Sequence, residues 1–400
     1  MKTLDDAPLL DTTGLGLAEH HAAIDRLRPE TWVVRTFIGG LVIDREHVHA
    51  LLSDRHLRSP LISFIEMQGV TEGLLHHRTS LFPLSMDGPD HIRIRTLVRK
   101  AFVPSAVDRH RPLMRELLTA LVDPVVPAGG CEFMEVVAEH FPIQIMCHVL
   151  GVPTVDHNDF AAWIRAIAWT LSLELSQHVD EAEAGMKQLD DYVGHLIADR
   201  RRSPGVDLVT ELVEAEEAGD RLTEDELRSL IIGLLFAGYD TTRNQLGLAV
   251  HAFALHPQQW ALLATQPELA AKAVEEVMRY RGAVDVAPRM VAEDFELDGY
   301  RFTAGTMLFL STAAANHDPA TTTAPAAFDI TADRAEQQLT FGGGPHYCLG
   351  AWLARAEMQE ALPLLARSMP DLALDGEPTW PTSAGIFGPA SLPIRFRPRT

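Results

Sequence analysis

Apolar residues recur three and four positions apart through most of the chain. The segments 106–122, 132–150, 157–176, 180–201, 223–255 and 267–280 all carry this period, often beginning on an acid, Thr or Pro, and each predicts a helix. The alternation expected of strands is short and sparse. It is found at 31–37, 40–43, 295–297, 300–302 and 392–396, with Asp298-Gly299 reading as a hairpin turn. The pattern predicts a mainly α protein, a large helical part with small peripheral β-sheets, and an irregular C-terminal third rich in Pro and Gly. No Gly/Ser linker, low-complexity tract or fixed-period repeat interrupts it, so residues 1–400 are expected to form a single domain.

Composition narrows the picture. At 46% hydrophobic residues and 22% charged residues over 400 positions, the chain can bury a large core. Its net charge of −21 argues against nucleic acid as a partner. That charge is uneven: residues 92–115 hold seven basic side chains (Arg93, Arg95, Arg99, Lys100, Arg109, Arg111, Arg115) against one acid, Asp108. Such an island is either a dock for an acidic partner or a solvated helix face. Residues 1–11 carry three aspartates and no apolar run, and the longest apolar stretch, 230–239, is too short to span a bilayer, so no membrane anchor is expected. Three cysteines, Cys131, Cys147 and Cys348, lack the spacing of a disulfide framework and suit a reducing cytoplasm.

Candidate chemistry concentrates at Phe341-Gly-Gly-Gly-Pro-His-Tyr-Cys-Leu-Gly350, a glycine-rich turn that leads Cys348 into an apolar helical stretch. Glycines 342–344 permit backbone angles closed to other residues, and a helix N-terminus favours a thiolate. A second unusual segment is Ala237-Gly238-Tyr239-Asp240-Thr241-Thr242, in the middle of a very apolar helix. A glycine, an acid and two hydroxyls there need a reason, a bend with a satisfied polar cluster being the plainest. Glu276 and Arg279 lie three apart and His91 and Arg95 four apart on predicted helices, so each pair shares a face.

Taken together and in this chain order, these motifs resemble those of the cytochrome P450 family, and the resemblance runs from Asp87 to the Leu392-Pro393-Ile394-Arg395-Phe396 ending. It implies the P450 fold and haem b, with Cys348 as the axial thiolate and metal ligand. Phe341, Gly342 and Gly350 would shape the cysteine loop, while Ala237 and Gly238 would border the haem. His91, Arg95, Arg289 and His346 would receive the haem propionates. By the same resemblance Thr241 hydrogen-bonds oxygen or its ordered water and Asp240 links the site to bulk protons. Glu276 and Arg279 form the buried pair that locks the segment before the cysteine loop. Within that segment Gln338 replaces the histidine often found there, and Arg334 is displaced from the third-partner position. Phe64, Phe82, Trp169, Phe236, Val286, Ile386 and Phe387 are implied to line the substrate pocket.

The resemblance further implies a monooxygenase of the soluble bacterial type, a cytoplasmic monomer. Such an enzyme inserts one atom of O2 into an apolar small molecule, by hydroxylation or epoxidation, with electrons from NAD(P)H passed through ferredoxin reductase and ferredoxin. The alternatives are a peroxide-driven peroxygenase and a haem-binding sensor without turnover. Peroxide users of the family usually lack the Asp–Thr pair, and a sensor could lose it.

Overall fold

A computed structural model describes residues 1–11, 17–153, 157–218, 222–381 and 386–398. The chain resolves into two compact units, one of residues 1–60, 278–327 and 333–348, the other of residues 61–277, 328–332 and 349–400.

The smaller unit is built on a five-stranded sheet in the order Val33–Thr36, Gly39–Val42, Met307–Ser311, Val286–Val291 and Leu57–Arg58. The strands Phe295–Leu297 and Tyr300–Phe302 pair antiparallel across Asp298 and Gly299, both with positive φ, so the expected hairpin forms. Two central strands, Val286–Val291 and Met307–Ser311, escape the sequence pattern. Met307–Ser311 is a continuous apolar run, as a strand covered on both faces requires. Val286–Val291 contains Pro288, which argues against a strand; it is tolerated because the neighbour Leu57–Arg58 pairs only with Val291 and Met290. Trp32, Val42, Leu51, Phe302, Leu308 and Leu310 fill the core of this unit.

The larger unit is helical. Its axis is the 32-residue helix Glu224–Leu255, opened by a capping box in which Thr223 and Glu226 satisfy each other's backbone N–H groups. Around it pack Gly73–Ser80, Phe141–Leu150, His157–Ile167, Val179–Arg202 and Leu208–Glu217. Several expected helices are broken at their starts. The 106–122 segment divides into Pro104–Val107, a 3-10 turn Asp108–His110 and Arg111–Val122, because Pro112 has no N–H to continue the ladder and belongs in a first turn. The 132–150 segment likewise becomes a strand Gly130–Glu132, a π turn Met134–Ala138 and the helix Phe141–Leu150, with Pro142 in its first turn. Segment 157–176 stops as a helix at Ile167 and goes on in 3-10 turns, and 267–280 is a 3-10 turn followed by Ala270–Tyr280. Among the described residues no helix is long and apolar enough to cross a membrane.

Candidate active site

The centre of the long helix interrupts its own burial. Most of its residues are buried, yet Ala237 is exposed and Gly233 and Thr241 are half-buried. These three lie four apart, so they form one narrow accessible face with no bulky side chain on it. The Thr241 hydroxyl donates back to the Ala237 carbonyl at 2.8 Å, using the carbonyl one turn earlier as its partner. Gly238 is turned elsewhere: a Cβ there would lie 2.4 Å from the Met146 sulfur, so its glycine serves contact with the Phe141–Leu150 helix. Asp240 is buried on the opposite flank, where its carboxyl accepts from the Asn244 amide at 3.2 Å. Burial pushes the Asp240 carboxyl up; Arg243 pulls it down and the Glu139 charge pushes it further up.

In the smaller unit the cysteine loop is fixed by its own backbone. Gly342 and Gly344 adopt φ of 69° and 61°, and a Cβ at Gly344 would approach the Leu52 carbonyl to 2.5 Å. The loop closes through Cys348 N–H donating to the Phe341 carbonyl at 2.9 Å, and Tyr347 N–H to Gly344 at 3.1 Å. Cys348 is half-buried and in no disulfide. The helix Ala351–Ser368 starts three residues later, and Gly350 occupies its N-cap. The other two cysteines suit a different role. Cys147 is fully buried, and burial together with Glu132 pushes the Cys131 thiol up to about 11.

The segment before the loop is anchored from beneath. Arg279, itself buried, donates to the carbonyls of Asn316 (3.4 Å), Pro325 (2.9 Å) and Ala327 (2.6 Å). Asn316 in turn accepts from Leu339 N–H at 2.7 Å, and Thr340 donates to the Met278 carbonyl at 2.8 Å. In the larger unit the buried Glu276 carboxylate accepts from Asp329 N–H at 3.0 Å. Gln338 is buried and accepts from Thr340 N–H at 2.7 Å, a local backbone role. Arg334 donates to the Thr323 carbonyl at 2.6 Å.

Of the expected propionate partners, His91 is buried and Arg95 half-buried on the helix Gly88–Val98. Arg289 is buried on Val286–Val291 with one N–H on the Pro288 carbonyl at 2.9 Å, and His346 is half-buried in the 3-10 turn Gly344–His346. Of the expected pocket residues, Phe82 and Phe236 stack with centroids 6.5 Å apart, and Phe82 meets Gly233. They sit beside the accessible face of the long helix. Trp169 instead stacks on His178 at 3.6 Å, and Phe387 on Trp380 at 5.3 Å; Phe64, Val286 and Ile386 are half-buried.

The basic island shrinks on folding. Arg93 pairs with Glu226 and Asp90, and Arg111 and Arg115 both pair with Glu360. Arg99, Lys100 and Arg109 are exposed and make no ion pair among the described residues. Of the polar network around Asp240, composed of Glu139, Arg165, Tyr239, Arg243 and Asn244, only Tyr239 falls within a sequence motif. Glu139 lies 26 positions upstream of Arg165 and about a hundred upstream of Tyr239 and Arg243, and no spacing signals it.

A half-buried cysteine on a glycine loop, an apolar helix face bearing one hydroxyl, and buried His and Arg side chains are the donor set that an iron porphyrin with two carboxylates requires. The residues present fit that group. Together with the mainly helical architecture they define a haem-thiolate class of protein. The family model described as Cytochrome P450 matches residues 263–368. The chain is 36% identical over 395 residues to luteothin monooxygenase of Streptomyces thioluteus, covering 98% of this chain and 96% of that one. It is also 36% identical to mycinamicin IV hydroxylase/epoxidase of Micromonospora griseorubida, covering 97% of each. The crystal structure of CalO2 superposes with a TM-score of 0.92 at 30% identity, over 98% of this chain and 99% of that one. The chain belongs to the cytochrome P450 family. It is a monooxygenase of that family, with haem b and a cysteine thiolate as axial ligand.

Proposed function

We propose that Cys348 is the axial thiolate and that the whole chain works as one catalytic domain which hydroxylates or epoxidises an apolar small molecule. The observation that carries this reading is the accessible face Gly233, Ala237 and Thr241, apolar but for one hydroxyl and flanked by Phe82 and Phe236. When bound, haem supplies the oxygen chemistry, with the thiolate pushing electron density toward oxygen. The chain's own residues do the rest. Phe82 and Phe236 offer apolar surface that excludes water, and Thr241 holds a hydroxyl proton on that face. Asp240 stores a proton behind it. His91, Arg95, Arg289 and His346 are the cations for the two propionates, and Gly342 and Gly344 let the loop carry Cys348. The names of the two relatives, a monooxygenase and a hydroxylase/epoxidase, support the same reaction type.

Electrons come from NAD(P)H by way of ferredoxin reductase and ferredoxin to a cytoplasmic monomer. Support for a small acidic donor is the exposed trio Arg99, Lys100 and Arg109 on a chain of net charge −21. Oxidant competition tests the whole reading: with ferredoxin, its reductase and NAD(P)H, product should form, and with hydrogen peroxide alone it should not. Equal or greater product with peroxide alone would make the protein a peroxygenase.

A further inference from the structure

Asp240 and Arg243 lie three apart on one helix and therefore share a face, the spacing at which a carboxylate and a guanidinium ordinarily pair. They do not pair. Arg243 Nε donates to Glu139 Oε1 at 2.7 Å, and Arg243 Nη1 to Asn244 Oδ1 at 2.9 Å. Asn244 then donates its amide N–H to Asp240 Oδ1 at 3.2 Å and to the Asp240 carbonyl at 2.8 Å. The second oxygen of Glu139 accepts from Arg165 Nη1 at 2.8 Å and from the Tyr239 hydroxyl. One carboxylate on the turn before Phe141–Leu150 thus collects two guanidiniums and a phenol. Asp240, the acid on the flank of Thr241, is left with an amide.

The network also runs from the surface inward. The Arg165 side chain is 48% exposed, Glu139 19% and Arg243 11%, while Asp240 is buried. We infer that Glu139 is a positioning residue for Asp240: by holding Arg243 it keeps the cation off the Asp240 carboxyl and so reserves that carboxyl as a proton donor on the flank of Thr241. The inference rests on the oxygen-activating role given above to Asp240 and Thr241.

The electrostatics agree with the geometry. The charged and titratable groups around Asp240 are Arg243 and Tyr239 on its own helix, Glu139 on the turn before Phe141–Leu150, and Arg165 on His157–Ile167. Burial pushes Glu139 up, but Arg243, the Tyr239 hydroxyl and Arg165 together hold it below the usual carboxylate range. Glu139 therefore stays charged and keeps its cations. Neutralising it acts on Asp240 twice: a nearby negative charge disappears, and Arg243 is released toward the carboxyl one turn away. Both changes favour the ionised form of Asp240.

The test is an infrared titration of the buried carboxyl in the holoprotein, its band assigned by loss in Asp240→Asn. In Glu139→Gln the protonation midpoint should fall by about one pH unit or more, the effect of a cation arriving within ion-pair reach. In Glu139→Gln with Arg243→Gln most of that fall should vanish. A Glu139→Gln midpoint that stays or rises overturns the inference, as does a double variant that falls as far as the single one. Should Glu139→Gln not fold, Glu139→Asp keeps the charge but shortens the reach; its midpoint should fall less, and an unmoved midpoint would again overturn the inference. The titration is read on resting protein without electrons or substrate. A failed shift therefore leaves the monooxygenase reading standing, and a failure of turnover leaves the titration interpretable.

Discussion

The cysteine loop and the centre of the long helix are held by different kinds of contact. The loop is a backbone object. Its shape follows from two glycines with positive φ, from hydrogen bonds between its own peptide groups, and from Arg279 and Asn316 gripping main-chain atoms of the segment before it. The helix centre is a side-chain object. Its backbone is regular helix, and what distinguishes it is a hydroxyl turned back on Ala237 and a buried acid in a network gathered by Glu139. A backbone-built site tolerates few residue types and so writes itself into the sequence. A side-chain network can draw its members from anywhere in the chain.

This contrast can be broken most forcefully at Arg279. Its guanidinium satisfies three main-chain carbonyls in the smaller unit, and Arg279→Ala would leave them and a buried cavity behind. We expect a loss of about 3–5 kcal/mol in unfolding free energy, read by denaturant titration. A loss below about 1 kcal/mol, the scale of an exposed pair, would mean that the loop does not depend on this anchor.

Thr241 sharpens the other side. Thr241→Ala removes one hydroxyl from the accessible face without disturbing a helix that needs no such bond. We expect haem binding and NAD(P)H consumption to persist, with coupling to product falling by roughly tenfold and peroxide release rising, since a placed proton donor is commonly worth at least that much. Unchanged coupling would remove Thr241 from the mechanism.

The smallest expected effect concerns the surface. Reversing Arg99 and Arg109 to Glu should slow reduction by an acidic ferredoxin severalfold at low salt and hardly at all near 1 M, where the Debye length is about 3 Å. Reduction by dithionite should not change. Indifference to both salt and charge reversal would show that the partner docks elsewhere.

How much was legible follows the same division. The spacing Phe341-x-x-Gly344-x-x-x-Cys348-x-Gly350 could be read because the positive φ at Gly344 and the contact with Leu52 permit almost nothing else there. Helix periodicity located Glu224–Leu255 and Val179–Arg202 to within a residue or so, since their apolar stripes pack against neighbours along their length. The strand Met307–Ser311 was not legible, because burial on both faces erases alternation. Nor was the fate of the basic island: Arg111 and Arg115 meet Glu360 about 245 positions away, so counting local charge overstated what stays free. Glu139 was invisible for that reason too. Its partners at 165, 239 and 243 come together only when three helical segments pack.

Cys348 is the point on which the whole account turns, and the other two cysteines make it directly testable. Cys147 is enclosed and Cys131 is held as a thiol, so neither is prepared to ligate iron. The ferrous protein with carbon monoxide should show the red-shifted Soret band of a thiolate complex. Cys131→Ser combined with Cys147→Ser should keep that band, and Cys348→His should lose it while still binding haem. If the double variant loses the band and Cys348→His retains it, the thiolate comes from elsewhere and the account is contradicted.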